Sequence, residues 1–143
     1  DKDGPERERL ERLVQSLSLD QRVRFFGAVP HEQLVWFYNA ADLCCLLSER
    51  EGWPNVIVES LACGTPVLAT SVGGIPEILT SHQVGTLVAR TPEHVANALK
   101  ISLEQTWSKT EILNYAQRFR WSHAADAVKE VFQSVLPIQE ASV

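Results

Sequence analysis

The sequence predicts an α/β fold with a parallel sheet and helices on both of its faces, and three observations support this class. Short apolar runs of strand length alternate along the chain with stretches whose apolar residues recur at helical spacing. The run at 43–47 is apolar throughout, as expected for a strand covered on both faces, and residues 66–70 are predicted to form another buried strand. Strands and helices in alternation are joined by right-handed βαβ crossovers, which make the sheet parallel.

The first part of the chain contributes two predicted helices with a strand between them. One helix starts near Pro5, and a strand at 23–26 ends at Gly27. A second helical stripe follows Pro30. The apolar faces of these helices comprise Leu10, Leu13, Val14 and Leu17 in the first, and Leu34, Phe37, Tyr38 and Ala41 in the second.

The middle of the chain carries the core of the predicted sheet. After the run at 43–47, a helix starts near Pro54 and ends at Gly64, a usual residue after a helix C-terminus. The elements that follow are the strand at 66–70, a Gly-Gly turn at 73–74, a short helix at 75–79 and a strand at 84–89. Ligands of such sheets bind beyond the carboxyl ends of the strands, so the loops there are where we expect a site.

The last third of the chain is predicted to be helical. Thr91 caps a helix that has Pro92 at its first position, and another helical stretch spans 108–119. A final helix starts at Ser122, and we expect its apolar stripe to face inward. That stripe comprises Ala125, Val128, Phe132 and Val135.

Composition limits the kinds of protein to which this chain can belong. Its 143 residues are one domain's worth, and with 45% apolar and 22% charged residues it can bury a core. The net charge of -5 argues against a nucleic-acid partner, which would need a basic patch. The three cysteines form no CxxC pair; we expect Cys44 and Cys45 to be buried, and reduced thiols suit a cytoplasmic chain.

The loop after the 43–47 strand carries the clearest chemistry. Because Pro54 suits a first helical turn, the free backbone amides of Asn55, Val56 and Ile57 are expected to point toward the carboxyl edge of the sheet and to favour a phosphate. Glu51 before the helix and Glu59 inside it can border the same crevice and accept hydrogen bonds from hydroxyls. A phosphate site flanked by two acceptors for hydroxyl groups fits a nucleoside diphosphate sugar, in which a diphosphate joins a ribose to a sugar. An alternative stays open, in which both glutamates merely favour the helix N-terminus electrostatically.

Six short phrases follow one another between residues 23 and 88. They are Val23-x-Phe-x-Gly27, Leu34 through Asp42, Ser48-x-x-Glu51-Gly52-x-Pro54, Glu59-Ser-Leu-Ala-Cys63-Gly64-Thr-Pro66-Val67, Gly73-Gly74-Ile75-Pro76-Glu77 and Gly85-Thr-Leu-Val88. Together they resemble the C-terminal domain of the retaining glycosyltransferases of family 4, whose GT-B fold has two Rossmann-like domains. The interval from Glu51 to Glu59 matches the E-x7-E signature of that family.

The resemblance implies a role for each matching position. Glu51 would be the catalytic residue, which contacts the donor sugar or stabilises charge near its reacting carbon. Glu59 would hold the ribose hydroxyls. The other donor-binding positions would be Gly52 in the loop, Asn55 and Val56 with their amides on the diphosphate, and Gly27 and Val29 beside the base.

The resemblance also implies the activity of a parent protein. It would transfer a sugar from a nucleoside diphosphate sugar to a glycan, lipid or small-molecule acceptor with retention, in polysaccharide or glycolipid biosynthesis. No metal and no cofactor are expected, since cationic side chains and helix dipoles would stabilise the leaving diphosphate. The family uses an Arg and a Lys upstream of Asp1 for this, whereas between Cys44 and Val88 the only basic residue is Arg50.

Residues 1–143 are therefore expected to be a partial donor-binding domain, with a core at 19–90 and C-terminal helices at 92–136. The N-terminal acceptor domain and the first two strands of this domain would be absent, so we expect the isolated chain to bind donor weakly and to be inactive. The parent is expected in the cytoplasm, and any membrane association would be peripheral and of the parent only.

Two other functions share part of this pattern. A nucleotide-sugar 2-epimerase has the same fold, but it would need acid-base side chains beside the sugar and lacks the Glu-Gly-x-Pro loop. A non-catalytic nucleotide-binding or assembly module would fit the missing segment, whereas the intact pair of Glu51 and Glu59 argues against it.

Overall fold

Residues 5–135 are described by a computed structural model, and the chain divides into two units, Asp1–Leu34 and Val35–Val143. In the first unit, helix α1 (Pro5–Ser16) confirms the amphipathic stretch near Pro5. Helix α2 (His31–Ala40), which follows Pro30 as predicted, spans the boundary between the units.

The strand predicted at 23–26 is wrong, because these residues form no regular strand. The Val23 amide donates to the Leu19 carbonyl at 2.9 Å, which closes a turn instead of joining a ladder. Within the described part of the chain, the only ladders join three strands of the second unit. An apolar run becomes a strand only where a neighbour satisfies its backbone groups, and the local pattern contains no information on that neighbour.

The sheet of the second unit has three parallel strands: β1 (Cys44–Leu46), β2 (Val67–Thr70) and β3 (Gly85–Val88). They lie in the order β1-β2-β3, so β2 is central. Every residue of β2 is buried. The predicted parallel sheet is thereby confirmed, with strands slightly shorter than the apolar runs.

The helices of this unit also occur where the sequence predicts them. They are α3 (Asn55–Ala62), α4 (Ile75–Ile78), α5 (Pro92–Glu104), α6 (Lys109–Ala116), a 3₁₀ turn (Gln117–Phe119) and α7 (Trp121–Val135). The Thr91 side chain accepts from the His94 amide and caps α5, as predicted. Among the described residues, no helix is both long and apolar enough to cross a membrane.

The hydrophobic core lies where α3, α4 and α6 cover the sheet. Its fully buried side chains are Ile57, Leu61, Val67, Ala69, Ile75, Ile78 and Ile112. Burying an aliphatic side chain of this size contributes about 1.5–3 kcal/mol. This core therefore fixes the start of α3 relative to the carboxyl edge of the sheet, where the candidate site lies.

Two burial predictions are wrong. β1 is not covered on both faces: Cys44 and Leu46 are half-buried, whereas Cys45 between them is exposed. This alternation shows that one face of the edge strand packs on the core while the other does not. The last helix, α7, has no buried residue, and Phe132 and Val135 of its stripe are 60% and 70% exposed. Helical periodicity shows which face is apolar but not whether the chain supplies a surface to cover it.

Candidate functional site

The candidate site begins in the loop between β1 and α3, at the carboxyl edge of the sheet. Pro54 is the N-cap residue of α3 in an extended conformation, and no side chain caps the helix start. Asn55 is the first helical residue, so the amides at the beginning of α3 are directed at this edge, as predicted. The Ile57 amide donates to the Pro54 carbonyl at 3.2 Å. The proline N-cap has no side-chain oxygen for the amides of Asn55 and Val56, which leaves these two suited to an anion.

Glu51 lies in this loop and is half-buried. Its Oε1 accepts a hydrogen bond of 2.6 Å from the hydroxyl of Ser48. The Ser48 carbonyl in turn accepts from Thr70 Oγ1, at the end of β2, at 2.6 Å. The carboxylate of Glu51 is thus held by a short chain of hydrogen bonds that starts from the central strand.

A second loop, at 73–74, packs backbone to backbone on the first. The Gly74 amide donates to the Gly52 carbonyl at 2.8 Å. Gly73 has a φ of 54°, and a Cβ there would lie 2.7 Å from the carbonyl carbon of Glu51. Only a glycine fits this approach, because any other residue would clash with the Glu51 backbone. The Gly-Gly turn therefore supports the loop that carries Glu51.

Glu59 lies further along α3 and is held by a tyrosine. The Tyr38 hydroxyl donates to Glu59 Oε2 at 3.0 Å, and only 8% of Tyr38 is exposed. Burial, and then the adjacent carboxylate of Glu59, raise the pKa of Tyr38 well above its ordinary value. The hydroxyl therefore stays protonated and remains a donor. The carbonyl of Tyr38 itself accepts from Thr65 Oγ1 at 2.6 Å, which anchors this residue.

A cleft of about 620 Å³ opens beside the start of α3. Asn55 and Glu59 line it, together with Trp53 and Val58. The rest of its lining comes from one segment of the chain and comprises Arg118, Phe119, Arg120, Trp121, His123 and Ala124. This volume is in the usual range for a small-molecule site.

The structure thus brings two of the predicted donor-binding residues together. Asn55 and Glu59 line one cleft, whereas Glu51, Gly52 and Val56 are not part of its lining. Glu51 and Gly52 lie in the loop just before it. The catalytic role of Glu51 and the donor-binding roles of the other four residues stay predictions.

Gly27 and Val29 belong to the first unit. Gly27 has a φ of 70°, in the left-handed region, and Val29 is half-buried. Their predicted place beside the base stays a prediction.

The part of the lining at 118–124 was not predicted from the sequence. Residues 108–119 were expected to be one helix and those from Ser122 another, and no role was predicted for Arg118 or Arg120. The ring of Phe119 meets that of Trp53 edge to face, with centroids 6.3 Å apart, which joins this segment to the loop between β1 and α3. A pair of arginines interleaved with two aromatic residues was the available signal, but its distance in sequence from the loop concealed the connection.

The described residues contain no cluster of three or more His, Cys, Asp or Glu side chains that could hold a metal ion. What the cleft offers is a set of hydrogen-bonding and aromatic groups. These are a carboxylate, the start of a helix, two guanidinium groups and three aromatic rings.

Comparisons with known proteins agree with this architecture. The family model described as "Glycosyl transferases group 1" matches residues 3–132. D-inositol 3-phosphate glycosyltransferases of Corynebacterium jeikeium (strain K411) and Mycolicibacterium smegmatis are each 35% identical, over 94% and 83% of this chain. The matched regions make up 33% and 28% of those proteins, so the chain spans a third or less of their length.

Two solved structures are similar as well. Sucrose-phosphate synthase from Thermosynechococcus elongatus superposes with a TM-score of 0.78 at 35% identity, over 94% of this chain and 35% of that one. Anabaena HepE in complex with UDP gives 0.72 at 30% identity, over 89% and 36%. The fold is therefore that of a domain of the GT-B glycosyltransferases. The chain belongs to the family of group 1 glycosyl transferases.

Proposed function

We propose that this chain binds the nucleoside diphosphate part of a sugar nucleotide and is the donor-binding part of a retaining glycosyltransferase. One observation carries the proposal: Asn55, at the uncapped start of α3, and the carboxylate of Glu59 line the same cleft. A helix start attracts phosphate, and a carboxylate accepts hydrogen bonds from ribose hydroxyls. The similarity to HepE, whose structure contains UDP, supports the same ligand class here.

The reaction would be transfer of the sugar to an acceptor with retention at the anomeric carbon. Glu51 would lie at the sugar end of the donor, where its carboxylate stabilises positive charge at the reacting carbon. The start of α3 would stabilise the leaving diphosphate, with no metal or cofactor. We place acceptor recognition in the parts of the full-length relatives that this chain does not match, and the activity in the cytoplasm, in the synthesis of a polysaccharide or glycolipid.

Titration calorimetry of the 143-residue chain with UDP and GDP tests the first part of this proposal. We expect measurable binding of at least one of them and weaker binding of the corresponding nucleoside. Glu59→Gln keeps the shape of the side chain but removes a charged acceptor worth about 1.5–3 kcal/mol, so the dissociation constant should rise about tenfold or more.

The matched control is Glu104→Gln, which removes an exposed carboxylate at the end of α5 and should leave the affinity unchanged. If the two variants bind equally well, Glu59 is not a donor ligand. Catalysis is tested in a full-length protein that contains this chain. There Glu51→Ala should lower kcat more than it raises KM, and Glu59→Ala should mainly weaken donor binding.

A further inference from the structure

A second pocket lies at the amino edge of the sheet, opposite the edge that carries Glu51. Its lining includes residues 41–42, which precede β1, and residues 64–66, which precede β2. The remaining residues come from α2 (Asn39), the end of α5, the loop after it and the first residue of α6. This amino-edge pocket has a volume of about 410 Å³, in the range of small-molecule sites, and the described residues that line it all differ from those of the cleft beside α3.

Hydrogen bonds within the chain hold the buried part of the amino-edge pocket. Thr65 is 4% exposed; its Oγ1 donates to the Tyr38 carbonyl at 2.6 Å, and its carbonyl accepts from Ser60 Oγ at 3.1 Å. Trp107 is half-buried, and its Nε1 donates to the Ser102 carbonyl at 2.8 Å. The residues before β2 and the indole ring are therefore ordered before a ligand binds, which lowers the entropic cost of binding.

Ser102 adds a buried polar atom that lacks a partner. This residue lines the pocket and is 2% exposed. Of the buried side chains that the structure describes, its Oγ alone has no hydrogen-bond partner. Buried polar atoms in native proteins are nearly always hydrogen-bonded, so an unpaired hydroxyl in a residue of the pocket favours a polar ligand that completes the bonding.

Three exposed polar side chains, Asp42, Gln105 and Lys109, also belong to the lining. Within the part of the chain that the structure describes, neither the Asp42 carboxylate nor the Gln105 amide takes part in a hydrogen bond or an ion pair. The stem of Lys109 lies over Gly64, where an added Cβ would be 2.6 Å from Lys109 Cγ, so the glycine leaves room for the lysine. Asp42 and Lys109 are the charged residues of the described lining, one of each sign, and the pocket therefore has no net charge.

This set of groups fits a neutral ligand with several hydroxyls. The Asp42 carboxylate and the Gln105 carbonyl accept hydrogen bonds from hydroxyls, whereas the Lys109 ammonium donates to sugar oxygens. The Trp107 indole offers an apolar surface to the C–H groups of a sugar ring. An anion would be attracted by Lys109 but repelled by Asp42, so the balanced charge gives a phosphate no advantage over a hydroxyl.

We propose that the amino-edge pocket binds a neutral sugar, as a saccharide site separate from the cleft beside α3. The inference does not depend on the proposed function, because no step of it uses a residue of that cleft. Two other occupants compete with a neutral sugar. They are a phosphorylated sugar held by Lys109, and a zwitterion that pairs with Asp42 and Lys109 together.

The test titrates the isotope-labelled 143-residue chain with glucose, glucose 6-phosphate and glutamine, and follows its amide and indole signals by NMR. Trp107→Phe identifies the Trp107 indole signal, because that signal is lost in the variant. We expect glucose to shift the signals of Trp107 and Gln105 saturably and to leave those of Trp53 and Trp121, which line the other cleft, unchanged. Glucose 6-phosphate should bind no more tightly than glucose, and glutamine should bind more weakly.

Asp42→Asn keeps the size of the side chain and replaces a charged acceptor by a neutral one, so the dissociation constant for glucose should rise about tenfold. Asp126→Asn is the matched control, since it makes the same change at an exposed position of α7 outside the pocket. Its dissociation constant should stay within about twofold of the wild-type value. Gln105→Ala, at an exposed position after α5, should also weaken glucose binding, and it serves if Asp42→Asn does not fold.

Three results would overturn the proposal. One is the lack of any saturable shift at Trp107 and Gln105 up to the solubility limit of glucose. Another is tighter binding of glucose 6-phosphate or of glutamine at the same signals, which assigns the pocket to an anion or to a zwitterion. The third is an unchanged affinity for glucose in both Asp42→Asn and Gln105→Ala.

The outcome for this pocket is distinguishable from that for the cleft beside α3. A chain that binds UDP but not glucose keeps the proposed function and loses this inference. A chain that shifts Trp107 with glucose but binds neither UDP nor GDP loses the proposed function and keeps the amino-edge pocket as a sugar site.

Discussion

Tyr38→Phe tests whether the orientation of Glu59 matters for the ligand. The substitution removes one oxygen, the donor of the 3.0 Å hydrogen bond to Glu59 Oε2, and leaves the buried ring in place. Hydrogen bonds to charged groups contribute about 1.5–3 kcal/mol. Because Glu59 is only half-buried, water replaces part of this bond, and we expect the free energy of unfolding to fall by about 1 kcal/mol.

The effect on binding has a different origin. A carboxylate has about four lone-pair sites, and the bond from Tyr38 uses one of them. Without this bond the Glu59 carboxylate is less well ordered before the ligand binds, and fully immobilising a side chain costs about 0.5–1.5 kcal/mol. The dissociation constant for UDP should therefore rise by about two- to tenfold. Calorimetry with UDP measures it, and chemical denaturation measures stability in the same preparation.

Tyr115→Phe is the matched control, because its hydroxyl donates to the Ile78 carbonyl at 2.7 Å, accepts from the Thr80 amide at 3.0 Å and is hydrogen-bonded to Thr80 Oγ1 at 2.8 Å. Losing these three bonds should cost about 1.5–4.5 kcal/mol of stability, at about 0.5–1.5 kcal/mol each. UDP affinity should be unchanged, since the ring that stacks on Arg118 remains. The reasoning is refuted if Tyr38→Phe binds UDP as tightly as the wild type, or if both variants lose affinity equally.

Three further predictions concern the surrounding structure. Gly73→Ala forces a Cβ into the Glu51 backbone and should lower the free energy of unfolding by about 2 kcal/mol or more. The control Gly52→Ala adds a Cβ that meets nothing within 4 Å, and it should change the free energy of unfolding by less than about 1 kcal/mol. Equal denaturation midpoints for the two variants would contradict this prediction. Thr91→Ala removes the cap of α5 and should cost about 1 kcal/mol in thermal unfolding, and an unchanged melting temperature would count against the cap. Burial raises the pKa of the Cys44 and Cys45 thiols, so their alkylation should be slow at pH 7 and should accelerate as the pH rises. Mass spectrometry should show that the exposed Cys45 is modified before Cys44, and faster labelling of Cys44 would refute this exposure pattern.

Features with a local cause could be predicted from the sequence. Thr91 followed by Pro92 fixes the start of α5, and the apolar residues 67–70 identify the central strand, because these signals need only neighbouring residues. The start of α3 at Asn55 is also a feature with a local cause, since the neighbouring Pro54 determines it. That is why the loop of Glu51 and the position of Glu59 were found from sequence.

Features that depend on a distant partner were not predictable in this way. Residues 23–26, three of which are apolar, have the composition of a strand, but a ladder requires a neighbouring strand. Cys45 lies in a continuous apolar run, which predicts a strand that is buried on both faces. In the structure β1 is an edge strand, and the side chain of Cys45 is exposed. The arginines of the cleft are more than fifty residues from Glu59, and only the packing of Phe119 on Trp53 brings them to it.

The contacts around the cleft show why three separate segments are needed to make it. The loop between β1 and α3 is supported by the Gly-Gly turn through the bond from the Gly74 amide to the Gly52 carbonyl, and by the 118–121 turn through Phe119 and Trp53. Each support acts before a ligand binds, so the ordering cost is met during folding and not during binding. A flexible loop would lose part of its affinity to that cost. The aromatic contact therefore has two consequences: it stiffens the loop, and it brings Arg118 and Arg120 into the cleft that Asn55 also lines.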